Sequence, residues 1–306
     1  MRRRGRAVSK LHLSVPASSA NLGPGFDSLA LALDFGLRVE AWLGAERDAI
    51  AWQGEGSGEV PLDRRNLLLK GVAAARARWG GGVALVIRVR SSIPVGRGLG
   101  SSAAAVVAGL ALGALSCGRR PRPPELLELG ARLEGHPDNV AAALLGGLVV
   151  AAMEDGEVTA VRLPVLPGLK LLLAIPDRRL ETAAARTLLP ERVPLVDAVA
   201  NLQHLGLLLA ALSHRRPHLL GRALRDRLHQ PYRLHLVPEL AELLGERSPG
   251  LHGACLSGAG PTVITFLAGP APGLERRLRR ILSRHGGGEV RRCRPAAIGL
   301  QWKRRS

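Results

Sequence analysis

A glycine-rich turn between a predicted strand and a predicted helix constrains this chain more than any other feature. Gly96, Gly98 and Gly100 alternate with other residues, and two serines then open an alanine-rich stretch. Glycine adopts positive φ at little steric cost, so successive backbone N–H groups can turn towards one anion. A helix that begins near Ser101 adds the positive end of its dipole at the same point. The turn therefore predicts a phosphate-binding loop, made of Pro94, Val95, Gly96, Arg97, Gly98, Leu99, Gly100, Ser101, Ser102, Ala103 and Ala104.

This loop is not of the Walker type, because no Gly-Lys-Ser or Gly-Lys-Thr follows the glycines. A glycine-rich turn alone could simply pack a helix against a sheet. Here a proline, three alternating glycines, paired serines and a run of alanines occur together. That combination favours nucleotide binding over a packing role.

Predicted strands and helices are mixed along both halves of the chain, which indicates two α+β domains. We place the boundary just before the strand Leu169–Ile175, so that residues 1–164 form one domain and residues 165–306 the other. Aromatic residues are scarce, at 3%, so Leu, Val and Ala must fill most of the core. Other predicted elements are strand Leu11–Val15, loop Ala17–Gly25, and helices Asn66–Ala77, Ser101–Leu115, Leu219–Leu228 and Pro238–Leu244.

The formal net charge of +18 would suit a nucleic-acid or anionic-membrane partner. However, the basic residues are almost all arginines spread over the whole chain, with short clusters at Met1–Arg6 and Lys303–Arg305. The sequence has no basic patch interleaved with aromatic residues, which single-strand binders use. We therefore expect no nucleic-acid partner, although a basic surface would attract an anionic substrate such as ATP.

The three cysteines, Cys117, Cys255 and Cys293, are far apart and form no Cys-x-x-Cys pair. This spacing favours free thiols over a disulfide framework or a zinc site. The N-terminus lacks the apolar core of a signal peptide. The apolar segment Val140–Met153 is too short to span a bilayer. The longer segment Ser101–Cys117 is rich in Ser, Ala and Gly and opens on a glycine-rich turn, so it also falls short of a spanning helix. We expect a cytoplasmic protein without a membrane partner.

The phosphate loop is the second of three motifs that resemble those of the GHMP kinases, which include galactokinases, homoserine kinases and mevalonate kinases. The first motif is Val15–Asp27 and the third is Leu256–Thr262, in the family's order and across nearly the whole chain. The resemblance implies the two-domain GHMP kinase fold. Its N-terminal ATP-binding domain, 1–164, would be of a type found in ribosomal proteins, and its C-terminal domain, 165–306, a ferredoxin-like α/β sandwich. It also implies that ATP and Mg²⁺ are used.

Three segments are similar to homoserine kinases in particular. They are Ser18–Asp27, Glu134–Val140 and Leu228–Arg233. The chain departs from the family's pattern at Ala142, where a proline is usual. The resemblance implies phosphorylation of L-homoserine to O-phospho-L-homoserine in threonine biosynthesis.

Homoserine is a zwitterion, so its site needs an anionic group for the ammonium and arginine for the carboxylate. By resemblance, Asp27 binds the ammonium with Asn21 nearby, and Arg186 and Arg233 hold the carboxylate with help from Thr182. His136 is either a substrate contact or a structural residue. Gly258 and Gly260 form a second tight loop near the substrate or phosphate, and Asn66 contacts the adenosine.

The reaction itself needs positioning and charge stabilisation more than covalent chemistry. By resemblance, Ser102 and Glu134 are the protein ligands of Mg²⁺. Asn139 would orient the attacking hydroxyl, and Asp138 is the more base-like neighbour. The sequence does not decide whether a base is used.

Three alternatives stay open. The chain could be a GHMP kinase for mevalonate or a sugar, or an RNA-binding protein without enzymatic activity. A homodimer is open as well, because the sequence does not reveal the oligomeric state.

Overall fold

We describe the fold from a computed structural model, which describes residues 9–237, 239–267, 269 and 271–305. The predicted Met1–Arg6 cluster and Pro238, the predicted first residue of a helix, lie outside the described residues. The strands are β1 Lys10–Asn21, β2 Gly25–Ala45, β3 Ala49–Gly54, β4 Ala84–Ser91, β5 Leu148–Glu154, β6 Glu157–Leu163, β7 Lys170–Pro176, β8 Leu251–Leu256, β9 Val263–Leu267, β10 Gly288–Cys293 and β11 Gln301–Arg305. The α-helices are α1 Leu67–Trp79, α2 Ser101–Ser116, α3 Pro123–Glu134, α4 Asp138–Leu145, α5 Thr182–Arg186, α6 Leu195–Ser213, α7 Leu220–Ala223, α8 Gln230–Arg233, α9 Glu239–Gly245 and α10 Pro272–Arg284, with 3₁₀ turns at Pro217–Leu219 and Leu234–Leu236.

The larger sheet has the strand order β11-β1-β2-β4-β3, and β5 and β6 extend it from the other end of the long strand β2. Helices α2 and α4 pack against its inner face, α3 contacts β6, and α1 packs on α2. Helix α2 is buried along almost its whole length. Small residues allow this, because a side chain at Gly109 would clash with the backbone of α1 at Leu68. Helix α2 therefore packs closely against α1, and its first turn follows the glycine loop directly.

The smaller sheet has the order β10-β7-β9-β8, and all its pairs are antiparallel. Taken in chain order, this is the 4-1-3-2 arrangement of a βαββαβ ferredoxin-like domain. Helices α9 and α10 cover the sheet with a core of Leu, Val and Ile. The predicted α+β class with two domains is confirmed, and Leu, Val and Ala dominate the core as expected.

The last strand, β11, pairs with β1 in the larger sheet. The chain therefore returns to the first domain after it has completed the second. The boundary near residue 164 stays a prediction, but the sheet pairing places Gln301–Arg305 with the N-terminal sheet.

Two local predictions were wrong. The expected loop Ala17–Gly25 is mostly strand, because β1 continues to Asn21 and pairs with β2. The expected helix Leu219–Leu228 ends early, since α7 stops at Ala223. The Asp226 carboxylate instead accepts hydrogen bonds from the backbone N–H groups of Leu228, His229 and Gln230 and turns the chain into α8.

Helix α6 is long and apolar enough to cross a membrane by length and composition, and 22% of its most apolar window is buried. A single helix of this kind is weak evidence for a membrane span. The expectation of a protein without a membrane partner stays a prediction.

Candidate active site

A cavity of about 390 Å³ lies where the phosphate loop, the first motif and helix α5 meet. Nearly all the predicted site residues line it, although they come from distant parts of the chain. Ala104 and Gly260 do not, and Ala104 is fully buried in α2. The predicted residues that line the cavity are Pro94 through Ala103, Asn21, Asp27, Asn66, Glu134, His136, Asp138, Asn139, Thr182, Arg186, Arg233 and Gly258.

The three loop glycines all have the positive φ that the sequence predicted, at 68°, 73° and 70°. Gly100 is the N-cap of α2, and its carbonyl accepts a hydrogen bond from the Ala104 N–H at 3.0 Å. The Gly98 carbonyl accepts one from the Ser257 hydroxyl at 2.6 Å. The second motif is therefore fastened to the third. The N-terminus of a long buried helix points at the cavity, which suits a bound anion.

Ser102 and Glu134 meet at the edge of this loop. The Ser102 hydroxyl donates to Glu134 Oε1 at 2.6 Å. Burial raises the pKa of the Glu134 carboxyl above its ordinary value, more than the Ser102 hydrogen bond and His136 lower it. No arginine or lysine forms an ion pair with Glu134 within the described part of the chain. A half-buried carboxylate without an ion-pair partner among the described residues, beside a hydroxyl and a phosphate loop, fits the oxygen ligands that Mg²⁺ prefers.

His136, Asp138 and Asn139 form a connected polar group at the start of α4. Asp138 Oδ1 is 2.7 Å from His136 Nδ1 and accepts the Asn139 backbone N–H at 2.6 Å. Burial alone would lower the pKa of His136. The Asp138 hydrogen bond and the nearby carboxylates together raise that pKa by more than burial lowers it, so the net shift is upward. The Asn139 side-chain oxygen accepts the Ser18 hydroxyl at 2.7 Å. Its side-chain NH₂ group is therefore the donor, and it lies 3.4 Å from Asp138 Oδ1.

Asp27 and Arg186 form a two-pronged ion pair across the cavity mouth, with oxygen–nitrogen distances of 2.8 and 2.9 Å. The pair joins β2 to α5. Asn21 supports it, because its side-chain oxygen accepts the Asp27 N–H at 3.0 Å while its amide nitrogen donates to the Gly258 carbonyl at 2.8 Å. Asp27, the predicted partner of the ligand's ammonium, and Arg186, a predicted partner of its carboxylate, therefore neutralise each other in this structure.

Arg233 is the most unusual residue of the site. Its side chain is only 1% exposed, yet it forms no ion pair with any carboxylate among the described residues. Its Nη1 donates to His229 Nδ1 at 3.0 Å and to the Gly258 carbonyl at 3.2 Å, and its buried Nε has no partner. Burial, and then the charge of Arg186, lower the pKa of Arg233 to about 10. A buried cation without a counter-ion on a cavity wall is suited to an anionic ligand.

His229 and Phe26 support Arg233 and were missed by the sequence analysis. His229 Nε2 lies 2.8 Å from the Gly23 carbonyl, which can only accept, so Nε2 carries the proton and Nδ1 is left to accept from Arg233. The Phe26 ring stacks on His229 and lies 5.3 Å from the Arg233 guanidinium. The signal was present, because both residues lie inside the quoted motifs.

We predict that the two nitrogens of His229 have separable roles. His229→Asn keeps an acceptor near Nδ1, whereas His229→Gln keeps only a donor near Nε2. Loss of the acceptor for a charged donor costs about 1.5–3 kcal/mol, so the Gln variant should raise the KM for the amino-acid substrate about tenfold and the Asn variant much less. Equal KM values for the two variants would contradict this role.

The same contact should make substrate binding sensitive to acid. Burial lowers the pKa of His229 below its ordinary 6.5. The unfolded chain therefore takes up this proton at higher pH than the folded chain, and stability is lost as the pH falls below 6.5. Protonation also removes the acceptor for Arg233, so the amino-acid KM values of the Asn variant and the wild type should diverge only once the pH falls below the lowered pKa of His229 in the folded protein.

The other predicted residues take secondary positions. The Asn66 side chain accepts from the Leu68 N–H at 2.9 Å and donates to the Pro61 carbonyl at 2.7 Å, so it caps α1. Its contact with adenosine stays a prediction. Thr182 is an exposed residue at the start of α5. Gly260 does not line the cavity, and its backbone N–H donates to the Ser257 carbonyl.

Comparison with known proteins agrees with this geometry. The model of the GHMP kinases N terminal domain matches residues 66–147, and that of the GHMP kinases C terminal matches residues 208–286. The fold, the glycine loop and the two family matches together define the class of this protein: it is one of the small-molecule kinases known as GHMP kinases. Two homoserine kinases, from Moorella thermoacetica and Thermus thermophilus, are each 43% identical to this chain. The alignments cover 89% and 91% of the chain and 92% and 93% of those proteins.

A solved structure of homoserine kinase from Cytophaga hutchinsonii superposes with a TM-score of 0.80 at 26% identity, over 99% of this chain and 100% of that one. The chain belongs to the homoserine kinase family.

Proposed function

We propose that this protein transfers the γ-phosphate of ATP to the side-chain hydroxyl of L-homoserine, in the cytoplasm. One observation carries the choice of substrate. The buried and uncompensated Arg233 faces the cavity beside the Asp27–Arg186 pair. An amino acid can supply a carboxylate to the arginines and an ammonium to Asp27. Its binding would exchange one internal ion pair for contacts with both charges of the ligand.

The phosphates would bind the backbone N–H groups between Gly98 and Ser102 at the N-terminus of α2. Ser102 and Glu134 would hold Mg²⁺, which supplies a positive charge that neutralises charge on the transferring phosphate. The hydrogen bonds at Asn139 favour it as a donor that orients the acceptor hydroxyl. Asp138 already accepts from His136 and Asn139, which makes it a weaker candidate for a base.

The test is ADP release by the purified protein when L-homoserine is added with MgATP. A panel should include mevalonate and galactose, and two analogues that lack either the ammonium or the carboxylate of homoserine. We expect turnover of homoserine, little with either analogue, and a large loss in Ser102→Ala. Turnover of mevalonate or galactose without turnover of homoserine would contradict the substrate choice.

Glu134→Gln should shift the metal requirement. It keeps the shape of the side chain but removes the charge that pairs with Mg²⁺, so we expect the Mg²⁺ concentration at half-maximal rate to rise about tenfold or more. The control is Glu128→Gln, which removes an exposed carboxylate from the same helix α3. An unchanged Mg²⁺ dependence in Glu134→Gln would show that Glu134 is not a metal ligand.

A further inference from the structure

The outer face of the larger sheet collects basic side chains that the active site does not use. Cross-strand pairing places Lys10 opposite Arg305, His12 opposite Lys303, and Arg38 opposite Arg90. Their strand neighbours, such as Leu11 and Val39, point inward and are buried. We call this surface the basic sheet face. It consists of Lys10, Arg38, Arg88, Arg90, Lys303 and Arg305, with Glu40 as the one carboxylate on its paired rows within the described chain.

A groove of about 670 Å³ runs over this face and shares no lining residue with the active-site cavity. Arg38, Arg88, Arg90 and Lys303 line it. Glu40 is already paired with Lys10 at 2.7 Å. The other five cations of the face form no ion pair with any described residue.

The density of positive charge has a visible effect on His12, which lies in the groove. Burial and Lys10 lower its pKa, Glu40 opposes them, and Arg305 and Lys303 lower it further. Four unpaired cations that line one groove, with Arg305 on the same sheet face, repel each other, and a polyanion would relieve that repulsion.

We propose that the basic sheet face binds the phosphate backbone of a single-stranded nucleic acid, through ionic contacts and without base stacking. This departs from the expectation of no nucleic-acid partner, which rested on cations that are scattered in the sequence but lie on adjacent strands of the sheet. Guanidinium groups match phosphate oxygens with paired hydrogen bonds. The groove is concave, and the polar side chains of Gln53, Gln301 and Ser14 lie among its cations. The apolar lining residues Leu13, Val39 and Val89 are buried and present almost no surface to it. It therefore offers neither a flat apolar surface for a bilayer nor the apolar centre that protein interfaces have.

Binding of this kind should be independent of base sequence. The Trp42 ring has Lys10 at 5.0 Å and Arg88 at 4.9 Å. Trp302, which lines the groove, packs against the core and lies 6.0 Å from Arg120, so neither of these two rings on the described sheet is free to stack on a base. Affinity would then come from counterion release, with a slope of about −0.7 per phosphate contact in a plot of log K against log salt for single strands. Five contacts give a slope of about −3.5 and roughly a hundredfold loss of affinity between about 50 and 200 mM salt.

The test measures fluorescence anisotropy of a labelled oligouridylate with the full chain at several salt concentrations. The variant Arg38→Gln/Arg88→Gln/Arg90→Gln removes three charges from the face. The matched control Arg78→Gln/Arg276→Gln/Arg280→Gln removes three exposed arginines from α1 and α10. We expect the face variant to make the slope shallower by about 2 and the control to leave it nearly unchanged.

ATP-dependent turnover of homoserine should stay unchanged in both variants, which separates this proposal from the proposed kinase activity. Should the triple variant fail to fold, single Arg38→Gln and Arg90→Gln variants should each reduce the slope by about 0.7. Equal weakening in the face and control variants would overturn the proposal. So would no binding at about 50 mM salt, or tighter binding of phosphatidylserine vesicles or polyglutamate than of RNA.

Discussion

Arg233→Met is expected to lower kcat/KM for homoserine by about 30-fold to several thousandfold. Removing one member of a buried, hydrogen-bonded charge pair costs about 2–5 kcal/mol, and each 1.36 kcal/mol is a factor of about ten. Arg233 is 1% exposed, so water cannot replace the guanidinium at the ligand carboxylate. The measurement is steady-state kinetics with homoserine varied at saturating ATP.

Stability distinguishes a binding role from a structural one. Arg233→Met removes a buried cation whose desolvation costs several kcal/mol, which offsets the loss of about 1–3 kcal/mol when the buried His229 Nδ1 is left without a donor. Gly258 keeps its second donor, Asn21. We therefore expect the melting temperature of Arg233→Met to stay close to that of the wild type while activity is lost. Arg186→Met is the comparison, because that side chain is 43% exposed and should lose less activity. A kcat/KM within threefold of the wild type would show that Arg233 does not bind the substrate.

The glycine loop and the start of α1 could be predicted because residues close together in the sequence determine both. Alternating glycines and two serines indicated the loop, and the structure has the positive φ at Gly96, Gly98 and Gly100 and a helix that starts at Ser101. The Asn66 cap likewise marked the start of α1. In each case residues within one turn of each other determine the backbone.

Contacts between distant segments could not be predicted in the same way. Ser18 meets Asn139 across 121 residues, and Asn21 meets Gly258 across 237. The first contact depends on how β1 and α4 pack within the N-terminal domain, and the second on how the two domains pack against each other. The return of β11 to the first sheet has the same origin, because its pairing partner β1 lies at the other end of the chain. The basic sheet face follows from that pairing, which explains why its residues looked scattered in the sequence.

Gly98→Ala is the second substitution with a large expected effect, because Gly98 lies where the second motif contacts the third. A Cβ at Gly98 would clash with the Ser257 carbonyl oxygen and lie 2.8 Å from the Gly260 carbonyl oxygen. Both obstacles are backbone atoms of a tight turn, so they cannot rotate away. Positive φ adds about 1–2 kcal/mol for a residue other than glycine, and overpacking adds about 1–3 kcal/mol. We expect a loss of about 2–5 kcal/mol in the free energy of unfolding.

The ATP side of the reaction should suffer as well, because the loop can relieve the clash only by moving away from the third motif. The backbone N–H groups of the loop would then move away from the phosphates. A displacement of about 1 Å at a reacting centre can lower the rate about a hundredfold. The measurements are the KM for ATP, kcat and thermal unfolding.

Gly96→Ala is the matched control for this effect. Its φ of 68° is nearly the same as that of Gly98, but the nearest atom to an added Cβ is Arg179 Cβ at 3.5 Å, an ordinary contact. The control therefore bears the backbone strain without the clash, and the difference between the two variants isolates the contact between the motifs. If both alanines lowered stability and ATP use equally, strain alone would account for the effect, and the third motif would have no part in shaping the phosphate loop.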